Sequence, residues 1–310
     1  MIEDETVAVI VVMFNSAGLI SDLLRSLERG LRGVSWHLTL VDNASSDESV
    51  ALARRLAPEA RIVETGRNGG YAAGINAGVV AAAQHTAVLI LNPDVRLGTD
   101  CVVRLLGALR TEGTGIAVPR LSDGRGVLIH SMRREPSLLR LLADTLVGGQ
   151  RVGRVAALGE VIADDRVYDH PQVTDWAEGS TMLVSAECWR RCGQWDESFF
   201  LFSEETDFAL RARDAGLVTR YVPSAHAVHL QGGSASNPAL WALVATNRVR
   251  LFSRRHGRVH GAMFYLVLVA REASRALIGK RTGRAALAEL IRLPRSHEIP
   301  GPATLARHRV

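Results

Sequence analysis

Apolar residues fall into two rhythms over the first hundred positions. Val7 to Met13 is an unbroken apolar run, the pattern of a strand covered on both faces in a parallel sheet. Ile20, Leu23, Leu24, Leu27 and Leu31 then recur at helical spacing, with Ser16 placed to cap the helix they form. His37 to Val41 reads as strand again, Ser46 is placed to cap a second helix reaching about Leu56, and Arg61 to Glu64 reads as a third strand. A helix of small residues from about Gly70 to Gln84 leads to a strand beginning at Ala87. Alternation at this spacing predicts βαβ units and a parallel sheet with right-handed crossovers.

After Asp94 the pattern loosens. A helix is expected over about Asp100 to Arg110 and a short strand near Ile116. From Leu121 to Thr174 there are helical pieces without a firm period, a length of connection that is usually functional or mobile. Trp176 to Ser185 reads as one strand, and Ser203 is placed as N-cap of a helix opening on Glu204, Glu205 and Asp207. Residues 238–292 read as mostly helical. The expected organisation is an α/β body over residues 1–237 and a helical region over 238–310.

At 310 residues and 47% hydrophobic content, the chain can bury a sizeable core and is not disordered. Cys101, Cys188 and Cys192 form no CxxC pair, which suggests neither a disulfide framework nor a zinc site. The start MIEDETVAVIVVMF lacks the features of a secretory signal, so the cytoplasm is the expected compartment. Charge is split along the chain. Residues 248–310 carry 13 Arg and one Lys against Glu272, Glu289 and Glu298, a net of +11 that leaves −6 for the rest of a chain with total +5. Such a split points to a phosphate-rich partner. The nine apolar residues Ala262 to Ala270 fall far short of a span, which needs ~20, but could lie on a bilayer. Aromatics that could stack on bases are sparse there, which favours an anionic membrane surface and argues for no nucleic acid. Packing on the body or on a second subunit, as in a homodimer, is the other reading.

The candidate chemistry lies at strand ends. Met13 to Gly18 lacks the GxGxxG of a dinucleotide site, and no P-loop is present. Asp42, in VDNASSD, either makes a local Asx turn or accepts the imide N–H of a uracil or thymine ring. GRNGGYAAGINAG, residues 66–78, is too glycine-rich for a free helix, since each internal Gly costs roughly 1 kcal/mol relative to Ala. Something approaches that backbone closely, either a neighbouring sheet or a ribose or phosphate at the helix N-terminus. In AVLILNPDV an apolar strand stops on a proline and presents Asp94. With His229 of PSAHAVHLQG it could hold a divalent cation whose remaining ligands are phosphates, the imidazole favouring Mn²⁺ over Mg²⁺; a lone strand-end His is otherwise structural. Glu204, Glu205 and Asp207 suit a helix N-terminus, and Asp207 can pair with Arg211. They also follow Phe199, Phe200 and Phe202, which would set a carboxylate base at the rim of an apolar cleft.

Taken in order, VVMFNS, VDNASSD, GRNGGYAAGINAG, LNPD, Gly179 to Leu183, WDESFFLFSEETDFALRARDAG and PSAHAVHLQG resemble the family 2 glycosyltransferases, near their bacterial rhamnosyltransferase-like branch. The resemblance spans about Val7 to Ser234. It implies a GT-A fold with a donor-binding half over about 1–120 and an acceptor half over about 121–237. It implies a nucleotide-sugar donor (dTDP- or UDP-sugar), a divalent cation (Mn or Mg) and inversion at the anomeric carbon. Phe14, Asn15 and Asp42 would hold the base, Asn68, Gly69 and Asn76 the ribose and phosphates, Asn92 and Asp94 the diphosphate. Asp94 and His229 would ligate the metal. Glu205 would be the catalytic base, its pKa raised by Glu204 and Asp207, while Trp176, Gly179, Glu204 and Asp207 would line the acceptor side. Two departures stand out: the family's DxD is Asn92-Pro93-Asp94, a variant that leans toward dTDP-rhamnose, and its Glu-Asp pair is Glu204-Glu205. The expected acceptor is a cell-envelope glycan or polyprenyl-linked hydroxyl on the inner face of the plasma membrane, reached through residues 248–310. A nucleotidyltransferase is the nearest rival, although its glycine-rich triphosphate loop is missing after the first strand; a non-catalytic nucleotide-sugar binder is the other.

Overall fold

Alternate side chains of the first strand, β1 (Thr6–Met13), enter two different cores. Val7, Val9, Val11 and Met13 belong to one, and Ala8, Ile10 and Val12 to the other. The chain continues through α1 (Ala17–Gly30), β2 (Ser35–Asp42), α2 (Ser49–Leu56), β3 (Arg61–Glu64), α3 (Tyr71–Ala81) and β4 (Ala87–Leu91). Helices α1 and α3 therefore cover opposite faces of the sheet, which explains the unbroken apolar runs. The computed structural model describes residues 5–155, 157–230, 236–293 and 300–308, without the side chain of Gln150. Residues 1–4, Gln231 and Gly232 of the last motif, and Arg295, Glu298 and Arg309 of the charge count, lie outside the described residues.

Glycines of the small-residue helix are explained by packing. A Cβ on Gly74 would lie 2.5 Å from Val12, and one on Gly78 would lie 2.5 Å from Ile10, so α3 sits on the sheet at a distance only glycine allows. The second helix starts at Ser49 with Glu48 at its N-cap, two residues beyond the expected cap Ser46. Ser46 is held elsewhere, its N–H donating to Asn15 Oδ1 at 2.8 Å.

The later elements are β5 (Val95–Leu97), α4 (Cys101–Leu109), β6 (Thr114–Ser122), β7 (Met132–Arg133), α5 (Leu138–Val147), α6 (Gly149–Val152), a 3₁₀ turn at Asp165–Asp169, β8 (Gln172–Thr174), β9 (Trp176–Ala177), β10 (Thr181–Ser185), α7 (Ala186–Cys192), α8 (Glu204–Asp214) and β11 (Val218–His229). The sheet runs β3-β2-β1-β4-β10-β6-β11-β5, with β8 paired to β11. Strands β1, β2, β3, β4, β6 and β11 share one direction, so the sheet is mainly parallel; β10 runs against them between β4 and β6. The single strand expected over Trp176 to Ser185 is instead two. β9 pairs with β7 in a small separate sheet, β10 joins the large one, and Glu178, Gly179 and Ser180 break the run between them.

Helices α9 (Pro238–Leu277), α10 (Arg281–Arg292) and α11 (Pro302–Arg307) complete the chain. Asn237 caps α9 by accepting the N–H groups of Ala239 and Leu240, and Pro238 stands where no N–H is needed. The helix is a folded hairpin, because Gly257 at φ 79°, ψ 175° interrupts it. Phe252 and Phe264 would be about 18 Å apart along a straight helix, yet their rings stack at 4.2 Å. Phe252, Phe264 and Leu268 share a small core with Leu290 of α10 and Leu141 of α5. Arg248 meets Glu160, Arg254 meets Asp196, Arg255 meets Glu135 and Asp214, and Arg271 meets Asp144. Much of the tail's positive charge is thus matched against acids of the body, an internal use that the charge split did not distinguish from an external partner. Among the described residues no helix is long and apolar enough to cross a membrane.

Candidate active site

The carboxyl ends of β1, β2, β4 and β11 point the same way and carry Phe14, Asp42, Asn92 to Asp94, and His229. That is where an open α/β sheet places ligands. Asp42 is buried; its Oδ2 accepts the Ser45 N–H at 3.0 Å, while Oδ1 has no protein partner. Asn15, in the left-handed region at φ 51°, ties its own loop to the next by accepting from the Ser46 N–H. Phe14 stands half exposed beside it. Asn68 Oδ1 receives the Gly70 N–H at 3.1 Å, shaping the turn that carries Gly69.

Pairing of β5 with β11 fixes the next group, with the Leu230 N–H donating to the Asp94 carbonyl at 3.0 Å. His229 Nε2 lies 3.3 Å from Asp94 Oδ2, and its Nδ1 lies 2.6 Å from Glu178 Oε1. Burial lowers the imidazole pKa, but contact with the two carboxylates outweighs that and lifts it to about 9. Burial likewise pushes Glu178 up, and His229 with the nearby Arg133 charge holds it below the usual carboxylate range. Asn92 joins through its backbone N–H, which donates to the Ser180 carbonyl at 2.9 Å. The break between β9 and β10 is thereby pinned to the end of β4.

Opposite this group stands the start of α8. Phe202 and Ser203, at φ 70° and 76°, are consecutive non-glycine residues in the left-handed region, a strain of about 1–3 kcal/mol each. Ser203 occupies the N-cap position but makes no side-chain cap bond, contrary to its expected role. The turn delivers Glu205 against Gly179, where a Cβ would lie 3.0 Å from Glu205 Cβ; glycine there lets the carboxylate in. Burial pushes the Glu205 pKa up to about 7, the Glu178 charge adding to it and Arg133 offsetting. Burial and Glu178 thus take the part expected of Glu204 and Asp207. Glu204 is itself buried, its Oε2 unpartnered, and burial with the Glu205 charge raises its pKa well above the carboxylate range.

Two expected residues are committed elsewhere. The Asn76 amide donates to the Trp195 carbonyl and to Glu197 Oε1, both at 2.9 Å, and accepts the Trp195 N–H, so it ties α3 to that loop. Asp207 pairs with Arg211 at 2.7 Å, whose guanidinium also holds the Cys192 and Gln194 carbonyls. A cavity of about 390 Å³ lined by Asn43, Arg67, Gly69, Asn76 and Glu197 shares residues with the donor turn but includes none of Asp94, Glu178, Glu205 and His229. Trp176 donates to the Arg134 carbonyl at 3.1 Å and lies 5.8 Å from the Arg133 guanidinium.

Sequence reasoning missed Glu178, Arg133 and Tyr71. The Tyr71 hydroxyl donates to the Gly179 carbonyl at 3.3 Å, and burial, then the charges of Glu204, Asp94 and Glu205, raise its pKa well above the usual value. For Glu178 a signal existed: it directly precedes the Gly179-Ser180 segment already singled out. Arg133 lies in the stretch where periodicity fails.

The mainly parallel sheet with its covering helices is a GT-A fold, and Asp42, Asp94 and His229 gather at its strand ends. Residues 8–153, just under half of the chain, match the family Glycosyl transferase family 2. It is 29% identical over 210 residues to the N-acetylglucosaminyl-diphospho-decaprenol L-rhamnosyltransferase of Mycobacterium tuberculosis, covering 61% of this chain and 65% of that protein. The match therefore spans just under two thirds of the relative's length. The rhamnosyltransferase WbbL of Escherichia coli is 27% identical over 144 residues, 46% of this chain and 51% of that one. Among solved structures, a mannosyltransferase from Pyrobaculum calidifontis, in complex with GDP-Man and Mn²⁺, shares the fold at a TM-score of 0.57 and 18% identity, covering 94% of this chain and 81% of that one.

Proposed function

We propose that this chain is an inverting glycosyltransferase that moves rhamnose from dTDP-rhamnose to a hydroxyl of a cell-envelope glycan carried on a polyprenyl lipid. The observation that carries the reading is one contiguous cluster: Asp94, His229 and Glu178 in contact, and Glu205 packed on Gly179 beside them. Glu205 would take the proton of the acceptor hydroxyl as that oxygen bonds to the anomeric carbon and the bond to the diphosphate breaks on the opposite face. A single displacement inverts that carbon. The unpartnered Oδ1 of Asp42 suits the imide N–H of a thymine or uracil ring. The names of the two relatives support rhamnose, and the diphospho-decaprenol in one of them supports a lipid-linked acceptor.

A divalent cation fits this donor set. Among the described residues no three His, Cys, Asp or Glu could hold an ion by themselves, so Asp94 and His229 would hold it together with donor phosphates. Glu178 Oε1 stands 2.6 Å from Nδ1 without hydrogen-bond alignment, and Nε2 faces Asp94; a carboxylate so placed could orient a ligating imidazole. When bound, the cation supplies positive charge to the departing diphosphate. Turnover of a panel of dTDP-, UDP- and GDP-sugars, followed by release of nucleoside diphosphate, tests the reading. Fastest release from dTDP-rhamnose with Mn²⁺ or Mg²⁺, and none in EDTA, is expected. No release from any donor, or equal release in EDTA, sinks it.

The membrane contact is proposed for a narrower surface than all of residues 248–310. Val259, Met263 and Leu266 stand exposed on the second arm of α9, and Leu277 and Ile278 at its end are 88% and 74% exposed. Exposed Arg258, Lys280, Arg281 and Arg284 flank them. An apolar stripe with basic flanks is what an interfacial helix presents to anionic lipid.

A further inference from the structure

The turn that presents the catalytic carboxylate is held from a distant part of the chain. Asn247, on the first arm of α9, is wholly buried, and its Nδ2 donates to the Leu201 carbonyl at 2.9 Å and to the Phe202 carbonyl at 3.1 Å. Those carbonyls enter the two left-handed residues, Phe202 and Ser203, that immediately precede Glu204 and Glu205. The other end of the amide is used as well: Asn247 Oδ1 accepts from Arg250 Nη1 at 3.2 Å, and the same nitrogen donates to the Ser198 carbonyl at 2.8 Å. One turn further along, Arg254 meets Asp196 and donates to Ser198 Oγ at 3.0 Å, with its guanidinium over the Phe199 ring at 4.9 Å. Asn247, Arg250 and Arg254 fall at i, i+3 and i+7, one face of a helix. They grip residues 196–202 as a unit.

The gripped loop also touches the donor turn, because the Phe200 carbonyl accepts the Tyr71 N–H at 2.9 Å. A strained backbone persists only where its surroundings over-determine it. Here the surroundings include one wholly buried amide, the group that contacts the turn's own carbonyls from α9. We infer that Asn247 is a positioning residue for Glu205: by clamping the Leu201 and Phe202 carbonyls it holds the left-handed turn that sets the carboxylate against Gly179. The inference rests on the reading of Glu205 as the base. It adds that the tail is part of the machinery for transfer whatever else the tail contacts.

The test is a rescue. Asn247→Ala removes both donors, and Asn247→Asp keeps the size and the Arg250 partner while facing the two carbonyls with a carboxylate. Both should lower kcat about 10²-fold, the scale of a displaced catalytic group, with the donor KM within about two-fold of wild type. Ser203→Gly, which makes φ 76° free of side-chain strain, should restore most of kcat in the Asn247→Ala background. Full kcat in both single variants, or a loss that Ser203→Gly does not recover, overturns the proposal. Equal loss of donor affinity in all variants does so too, since it marks a general collapse. If the wild type itself transfers no sugar, the reading of function fails separately, and amide hydrogen exchange decides the clamp. Exchange at residues 202–207 should rise in Asn247→Ala and return in the double variant; unchanged exchange rejects the clamp.

Discussion

In the sheet, Val7 to Met13 bury every side chain among other apolar side chains. Helices α9 to α11 meet the rest of the chain through a small apolar core shared with Leu141 and, in addition, through Arg248, Arg254, Arg255 and Arg271, each beside a carboxylate, and through the amide of Asn247. Apolar burial is non-directional, so it sets where the strand ends lie and tolerates small changes of shape. Charge-assisted hydrogen bonds fix angles as well as distances. The difference assigns the two regions different tasks: the sheet places Asp42, Asp94 and His229, and the arginine-rich layer orients the turn before Glu205.

The sharpest way to probe this division is the base itself. Glu205→Gln should cut transfer about 10²- to 10⁴-fold, as loss of a general base does, with donor affinity unchanged by calorimetry. If Glu204→Gln is the dead variant, the other carboxylate does the work. Next in size is Gly70→Ala, at the seam where the donor turn meets the gripped loop. Gly70 has φ 93°, and a Cβ there would lie 2.1 Å from the Phe200 carbonyl oxygen. A loss of about 2–4 kcal/mol in denaturant unfolding is expected; an unchanged midpoint would show that the two regions are not in contact as described.

A third probe is pH. Glu205 acts as the carboxylate, and with its pKa near 7 transfer should fall about tenfold per unit as pH drops below that value and level off above it. Rates independent of pH between 5 and 8 would remove the buried base from the mechanism. A smaller effect is expected at Glu135, whose carboxylate meets Arg213 at 2.7 Å and Arg255 at 3.0 Å. Glu135→Gln should cost about 1–2 kcal/mol, read as a lower melting temperature with little change in donor KM. Smallest of all, Leu277→Ser with Ile278→Ser should leave melting untouched and weaken sedimentation with anionic liposomes about tenfold. Wild-type protein that ignores such liposomes at low salt, or that buries this face in a dimer by sedimentation, replaces lipid with another occupant.

Legibility follows the same division. The strands and helices up to Asp94 could be read because period and burial coincide there: β1 and β4 are apolar runs, and α1 buries its apolar face, although Ser16 makes no side-chain cap bond. The β9–β10 break could not, because Trp176 to Ser185 keeps a strand-like composition across Gly179, and only the approach of Glu205 shows why the run is interrupted. At the site, sequence order brought Asp42, Asp94, His229 and Glu205 into view, each on a motif. It also suggested Asn76 and Asp207, whose polar groups prove to be matched within the protein. Glu178 and Asn247 act through contacts across 51 and 46 positions of chain, to His229 and to Leu201, and no local pattern reports such pairs. The tail's charge was plain, but not that its partners were the chain's own acids.

The grip of Asn247 on the Leu201 and Phe202 carbonyls also has a meaning in time. During synthesis the strands β1 to β4, which pair with one another, emerge first and can collapse together, as domains begin to fold from the N-terminus. Asn247 is made 42 positions after Glu205, and the arm of α9 that carries it must clear the ribosome before the turn can lock. A nascent chain would thus have Asp42 and Asp94 in place while the carboxylate that does chemistry is still unfixed. The order of translation would thus leave the site incomplete until the first arm of α9 is made.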